Sequence, residues 1–248
     1  MTTGLPRRVR ADLLLVERGL FESRARAQAA IAAGLVRADG VVLRKVSETV
    51  PDTASIEARA AHPYVSRGGV KLAAALDAFG FDPAGLTCLD VGASTGGFSD
   101  VLLRRGAAHV YAVDVGQAQL HESLRGHPRL ISLESQDIRT LDPGLFGEAP
   151  ALAVIDVTFI SLKLVLPAVA RLLAPKARLV ALVKPQFETR RSALKKGVLR
   201  DEALQQQICT EIAEVATGLG FTIAGLIPSP IEGGDGNREF LLGSERRA

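Results

Sequence analysis

Residues 89–98 read Leu89-Asp90-Val91-Gly92-Ala93-Ser94-Thr95-Gly96-Gly97-Phe98. An apolar run, Thr87–Val91, ends in an acid, turns through glycines and opens a helical stretch reaching Arg105. Such a strand–turn–helix lies at the carboxyl edge of a doubly wound sheet, where ligands bind. Gly92, Gly96 and Gly97 allow close backbone approach to a ligand, and the helix N-terminus adds partial positive charge. The spacing G-x-x-x-G-G is neither the dinucleotide fingerprint G-x-G-x-x-G nor a Walker loop, which carries a lysine. What remains is an adenosine ligand without a pyrophosphate.

Outward from this turn, strands alternate with helices. His109–Val115, Leu130–Leu133, Ala151–Val157 and Leu179–Lys184 read as further strands, with helices over Leu162–Leu173 and Glu202–Leu219. Phe221–Ile227 and Phe240–Leu242 close the chain as two strands with no helix between them, so one of them is expected to run antiparallel. The fold class is α/β, a doubly wound and mostly parallel sheet.

Asp114 ends the second strand, 22 residues past Gly92, where an acid accepts hydrogen bonds from ribose hydroxyls. With Asp90 and the turn Gly92, Ser94, Thr95, Gly96, Gly97 and Phe98, it reads as an S-adenosylmethionine site. Asp137, after the third strand, is placed to meet the adenine. Four other residues look catalytic. Lys71 lies early in a helix after Ser66-Arg67-Gly68-Gly69; Asp156 and Lys184 end the fourth and fifth strands; Glu239 opens the last. Each alone is equally a surface charge, but Lys184 is enclosed by apolar residues and Pro185.

The first quarter of the chain is a different module. Residues 1–60 hold ten Lys/Arg against seven Asp/Glu, and 61–248 hold twenty of each, so the whole net charge of +3 sits at the N-terminus. Leu13, Leu14 and Val16 precede Gly19 as a short helix; Ser23 caps a second helix through Ala33, closed by Gly34. Leu35-Val36 and Val41-Val42-Leu43 then flank the turn Ala38-Asp39-Gly40. This α+β segment resembles the alpha-L motif of S4-type RNA-binding domains in Arg10-Ala11-Asp12, Ser23-Arg24, Ala27-Gln28, Ile31, Gly34 and Val36–Gly40. The resemblance implies RNA phosphate contacts from Arg8, Arg10, Arg24, Arg26, Arg44 and Lys45, with Arg67 as a further candidate. The expected domains are 1–60, a linker over 61–66 containing His62-Pro63, and 67–248.

The composition excludes other classes. Of the 248 residues, 47% are apolar and 23% charged, which is globular usage. Aromatics are 4% with no Trp, against a surface that stacks many bases or glycans. Cys88 and Cys209 are too few and too far apart for a disulfide framework or a metal motif, so no metal is expected. The longest apolar stretches, Leu13–Val16 and Leu162–Ala170, are far short of the ~18 residues of a membrane span. No signal-peptide pattern precedes them, and the expected location is cytoplasmic.

YVSRGGVKL, DVGASTGGF, DVTFISL, VKPQFE and GNREF together resemble the TlyA family along nearly the whole chain. That family joins an alpha-L module to an FtsJ-like, Rossmann-like methyltransferase domain. The resemblance implies S-adenosylmethionine-dependent methylation of a cytidine ribose 2′-hydroxyl in small- or large-subunit ribosomal RNA, or both, with rRNA or ribosomal subunits as partners. Its Lys-Asp-Lys-Glu tetrad falls on Lys71, Asp156, Lys184 and Glu239. A free lysine, pKa ~10.4, becomes a base only where burial or a second cation favours its neutral form. The arrangement implies Lys184 as general base, Lys71 as the cation beside it, and Asp156 and Glu239 as orienting groups. Members also carry a haemolysin label, which would mean a membrane-active protein; the other alternative is an RNA-binding assembly protein without turnover. One departure stands out. Where the family is glycine-rich, Thr189–Lys196 reads TRRSALKK, and Arg190, Arg191, Lys195 and Lys196 are either phosphate contacts or a solvated loop. The tail after Leu242 is also short.

Overall fold

The computed structural model describes residues 6–247 and divides into two compact units, one up to Pro63 and one from Tyr64.

The first unit runs β1 (Arg8–Arg10), α1 (Ala11–Glu17), α2 (Arg24–Ala32), β2 (Val36–Ala38), β3 (Val41–Val42), β4 (Thr49–Pro51) and β5 (Ile56–Ala58). Both expected helices are present, and the Ser23 hydroxyl accepts from the Arg26 N–H at 3.4 Å as the cap of α2. Strands β2 and β3 pair with Ala38 opposite Val41, and Asp39 (φ +49°) and Gly40 (φ +78°) both lie in the left-handed region. That backbone is the two-residue hairpin turn whose twist matches the strands it joins. Leu14, Leu15, Phe21, Ala27, Ile31, Val36, Leu43 and Val50 form the core. The antiparallel pairs β1–β4 and β2–β5 have no periodic signature in the sequence, because three residues are too few to show one.

The second unit opens with α3 (Gly68–Phe79), β6 (Thr87–Val91), α4 (Gly97–Arg104), β7 (His109–Asp114) and β8 (Leu130–Glu134). It continues through β9 (Leu152–Ile155), α5 (Leu162–Leu172), β10 (Ala177–Val183), α6 (Pro185–Glu188), α7 (Glu202–Gly218), β11 (Thr222–Pro228) and β12 (Phe240–Arg246). The strand order is β11-β12-β10-β9-β6-β7-β8. Strands β6 to β10 pair in parallel, and β12 is antiparallel to both β10 and β11, so the reversed strand is the last one.

The core explains the unbroken apolar strands. In β10, Leu179, Ala181 and Val183 face the side covered by α5 and α7, whereas Val180 and Leu182 face the side covered by α3 and α4. A strand buried on both faces needs no polar alternation. The final strand extends past Leu242 to Arg246, because Gly243 is the residue that leaves room for the Phe79 ring. Arg246 then donates to the carbonyls of Ala170, Leu173, Ala174 and Pro175 at the end of α5 and lies 5.0 Å over the Phe221 ring. The expected linker 61–66 is shorter in the structure. The Val65 N–H donates to Asp100 at 3.0 Å and the Tyr64 ring covers Gly69, so 64–66 are part of the second unit.

Candidate active site

Parallel strands β6, β9 and β10 end at one edge of the sheet, and antiparallel β12 begins there. Val91 is level with Ile155, and Val183 with Phe240. Asp156, Lys184 and Glu239 are therefore the first residues beyond the sheet on three adjacent strands. Lys71, in the second turn of α3, reaches the same place. Its amine pairs with Glu239 at 2.5 Å and that of Lys184 pairs with Asp156 at 2.5 Å. Both lysines are about 8% exposed and Glu239 5%. The four residues thus form two ion pairs, Lys71–Glu239 buried on both sides and Lys184–Asp156 with a buried lysine and a partly exposed carboxylate, a costly arrangement typical of a functional site.

The glycine turn is built into this edge. The Gly92 and Ala93 N–H groups donate to the Val113 carbonyl at 2.8 and 3.2 Å. Ser94 takes a left-handed φ of +46°, its N–H donates to Asp114 at 2.7 Å, and its hydroxyl donates to the Gln119 side-chain oxygen at 3.0 Å. Asp114 also accepts from the Gly116 N–H at 2.7 Å, so its carboxylate organises the loops around the turn. The Thr95 carbonyl accepts from the His121 N–H at 3.2 Å. Gly96 caps α4 in the left-handed region, and a Cβ on Gly97 would strike Ser66.

Asp90 is fully buried. It accepts from the Ser99 hydroxyl at 2.6 Å, and its other oxygen, Oδ1, has no partner among the described residues. Burial pushes its carboxyl up to about 7; hydrogen bonds from Ser99 pull the other way, while Asp156 and Asp114 add to the rise.

Two of the expected cofactor contacts also have partners within the chain. Phe98 is buried in the core with Leu72, Leu76 and Leu102, so its ring packs the α4 side of the sheet. Asp137 accepts from the Arg139 N–H at 2.9 Å, capping a short turn, and pairs with the Arg139 guanidinium at 2.6 Å. That pairing holds its carboxyl below the usual carboxylate range.

Three residues at the edge escaped the sequence reading. Phe159 follows Asp156 by three residues, is 90% exposed and has φ +63°, a strained backbone for a non-glycine. Its ring meets Phe187 edge-on at 5.2 Å, and Phe187 lies 6.0 Å from the Lys184 amine. Glu188 accepts from the Ser161 hydroxyl at 2.5 Å and from the Leu162 N–H at 2.7 Å, tying the loop after β10 to the one after β9. Asn237, before β12, is 3% exposed. DVTFISL and VKPQFE contain the first two, but nothing in composition distinguishes an exposed Phe from a core one.

Within the first unit the expected basic residues separate into two groups. Arg10 and Arg24 converge on buried Asp12 at 2.9 and 3.1 Å, joined by the Gln28 amide at 2.7 Å, and these donors hold the Asp12 carboxyl far below its usual range. Arg8 donates to Thr49, and Arg26 pairs with Glu22 at 3.3 Å. Arg44 and Lys45 are exposed, as is Arg67 in the second unit.

Among the described residues no cluster of His, Cys, Asp or Glu could hold a metal ion, and no helix is long and apolar enough to cross a membrane. The FtsJ-like methyltransferase family model matches residues 64–246 and the S4 domain model residues 9–55. The chain is 44% identical to the 16S/23S rRNA (cytidine-2′-O)-methyltransferase TlyA of Mycobacterium tuberculosis, over 96% of this chain and 90% of that protein. It is 39% identical to hemolysin A of Brachyspira hyodysenteriae, over 94% of this chain and 98% of that one. A solved structure from Streptococcus thermophilus, named for hemolysin, superposes with a TM-score of 0.76 at 41% identity, covering 98% of this chain and 90% of the other.

Proposed function

The chain belongs to the TlyA family, FtsJ-like methyltransferases that carry an S4 domain, and from that premise we propose that it methylates a cytidine 2′-hydroxyl in ribosomal RNA of the small subunit, the large subunit or both. The observation that carries the reading is the pair of ion pairs, Lys184–Asp156 and Lys71–Glu239, at the edge that also holds the glycine turn and Asp114.

The residues fit S-adenosylmethionine. Asp90 Oδ1 is a buried acceptor with no partner among the described residues, suited to a cationic ligand, and Asp114 lies beside the turn where ribose hydroxyls would be received. Gly92, Ser94, Thr95, Gly96 and Gly97 supply close backbone. When bound, the cofactor supplies an electrophilic sulfonium methyl. A ribose hydroxyl is a poor nucleophile, so Lys184, as the neutral amine once its own proton has left the pair with Asp156, would take the hydroxyl proton as the oxygen attacks that methyl group. Asp156 fixes the Lys184 amine, and Lys71, held by Glu239, stabilises charge developing on the oxygen. The exposed Phe159 ring, backed by Phe187, offers a face on which the target base stacks. The S4 domain, through Arg8, Arg10, Arg24, Arg26, Arg44 and Lys45, and Arg67 beyond it, contacts RNA phosphates, and the site of action is the cytoplasm.

The test is incubation with methyl-labelled S-adenosylmethionine and ribosomal subunits, followed by digestion to nucleosides. Label in 2′-O-methylcytidine supports the reading, and label on a base overturns it.

A further inference from the structure

We propose that the segment Arg190–Arg200, between α6 and α7, is a clamp for RNA backbone phosphates adjoining the target nucleotide. The inference rests on the RNA reading above and adds a contact surface to it.

The segment is a built structure. Lys195 and Val198 exchange backbone hydrogen bonds at 2.9 and 3.1 Å, with Lys196 (φ +52°) and Gly197 (φ +82°) forming the tight turn between them. The Leu199 N–H donates to the Asn237 side-chain oxygen at 3.0 Å, and the Asn237 amide donates to the Gly197 carbonyl at 3.1 Å. The Gln205 amide donates to the Leu199 carbonyl at 2.8 Å. Asn237 and Gln205 are both 3% exposed. Asn237 precedes Glu239 by two residues, and the segment itself starts six residues after Lys184. Asn237 and the chain leaving β10 thus tie it to strands that carry tetrad residues, and Gln205 ties it to α7.

Its charge is free. Arg190, Arg191, Lys195, Lys196 and Arg200 are all exposed, and none has a side-chain hydrogen bond or ion pair among the described residues. The neighbouring acids are already engaged. Glu188 binds Ser161 and Leu162, Asp201 caps α7 by accepting from the Leu204 N–H at 3.0 Å, and Glu202 pairs with Arg238 at 2.6 Å. Five uncompensated cations in eleven residues make a local positive field. A ribose presenting its 2′-hydroxyl to Lys184 carries a phosphate on either side, so anions arrive at this edge with the substrate. A segment pinned by Asn237 holds its cations in place before RNA arrives, which lowers the ordering cost of binding.

The experiment compares wild type with Arg190→Gln/Arg191→Gln and with Lys195→Gln/Lys196→Gln/Arg200→Gln, all exposed positions, on ribosomal subunits. Each set is expected to raise KM for the subunits by about tenfold with kcat little changed, and to make the salt dependence of binding shallower by about one per lost phosphate contact. S-adenosylmethionine affinity, by calorimetry, should be unaltered. Arg190→Lys/Arg191→Lys should restore the salt slope. Wild-type KM and salt slope in both neutralised sets would overturn the clamp while leaving the methyltransferase reading intact. Wild-type protein that neither binds nor methylates ribosomal RNA would overturn that reading, and the clamp with it.

Discussion

Gly92 and Asp156 are built against each other. Gly92, at φ +81°, occupies the point where a Cβ would run into the Asp156 carbonyl, and the Asp156 N–H donates to the Val91 carbonyl at 2.9 Å. The glycine turn after β6 and the loop that carries Asp156 are thus one packed unit, without a side chain between them.

Gly92→Ala should consequently disturb both. The backbone is left-handed and the space is filled by main chain, so a loss of ~1–3 kcal/mol in stability is expected. Thermal denaturation and calorimetric S-adenosylmethionine titration should both report a loss. A variant with wild-type melting temperature and cofactor affinity would show that the contact is slack.

Asp90 sets a pH dependence. Its folded-state carboxyl, raised to about 7, binds a proton that the unfolded chain releases near 4, so stability declines as pH rises from about 4 to 7 and levels off above. Asp90→Asn keeps an acceptor for the Ser99 hydroxyl and removes the titration. Denaturant unfolding at pH 5, 6, 7 and 8 should give a flatter profile for the variant, crossing to greater stability at the alkaline end. Parallel profiles would refute the assignment.

Asp12 has the opposite sign. Its carboxyl is depressed by Arg10 first, then by Gln28 and Arg24, so it contributes stability above its unfolded pKa near 4, lost as pH falls through the folded value. Asp12→Asn is expected to loosen the first unit by ~1–3 kcal/mol, seen as faster hydrogen exchange in α2 of the full-length protein at pH 7. Unchanged exchange of the Ala27–Ile31 amides would count against it.

Phe159 should trade stability for function. Phe159→Gly relieves the positive φ and is expected to raise the melting temperature slightly, while losing a stacking contact of ~1–3 kcal/mol with the target base. Turnover on ribosomal RNA should fall by about tenfold or more with cofactor affinity intact. Full activity would remove the ring from the substrate path.

The doubly wound sheet was legible because residues such as Leu179–Val183 are buried on both faces and leave unbroken apolar runs. β12 read short because Gly243 and Ser244 interrupt that signal, although one makes room for Phe79 and the other is buried. Asp90, Asp114, Asp156 and Lys184 could be placed at one edge from strand ends alone, since parallel strands share a carboxyl edge, whereas Lys71 on α3 and Glu239 before the antiparallel β12 joined them only through the family resemblance. The pairing of Asp137 with Arg139 and the burial of Phe98 could not be read in this way. Whether an acid caps its own turn, or an aromatic after a glycine faces the core, depends on side-chain direction that linear spacing leaves open. Phe159 was invisible for a related reason, because exposure and a left-handed backbone are properties of the folded chain.

Lys184, held by Asp156, is the residue proposed to remove the 2′-hydroxyl proton. The direct measurement is a nucleotide-resolution map of 2′-O-methylation on ribosomal RNA treated with wild type or with Lys184→Ala, alongside cofactor binding by each. Discrete methylated cytidines are expected with wild type, and a loss of ~10²–10⁴-fold in rate with Lys184→Ala while S-adenosylmethionine still binds. Methylation by Lys184→Ala at the wild-type rate, or a methyl group on a base in place of the ribose oxygen, would contradict it.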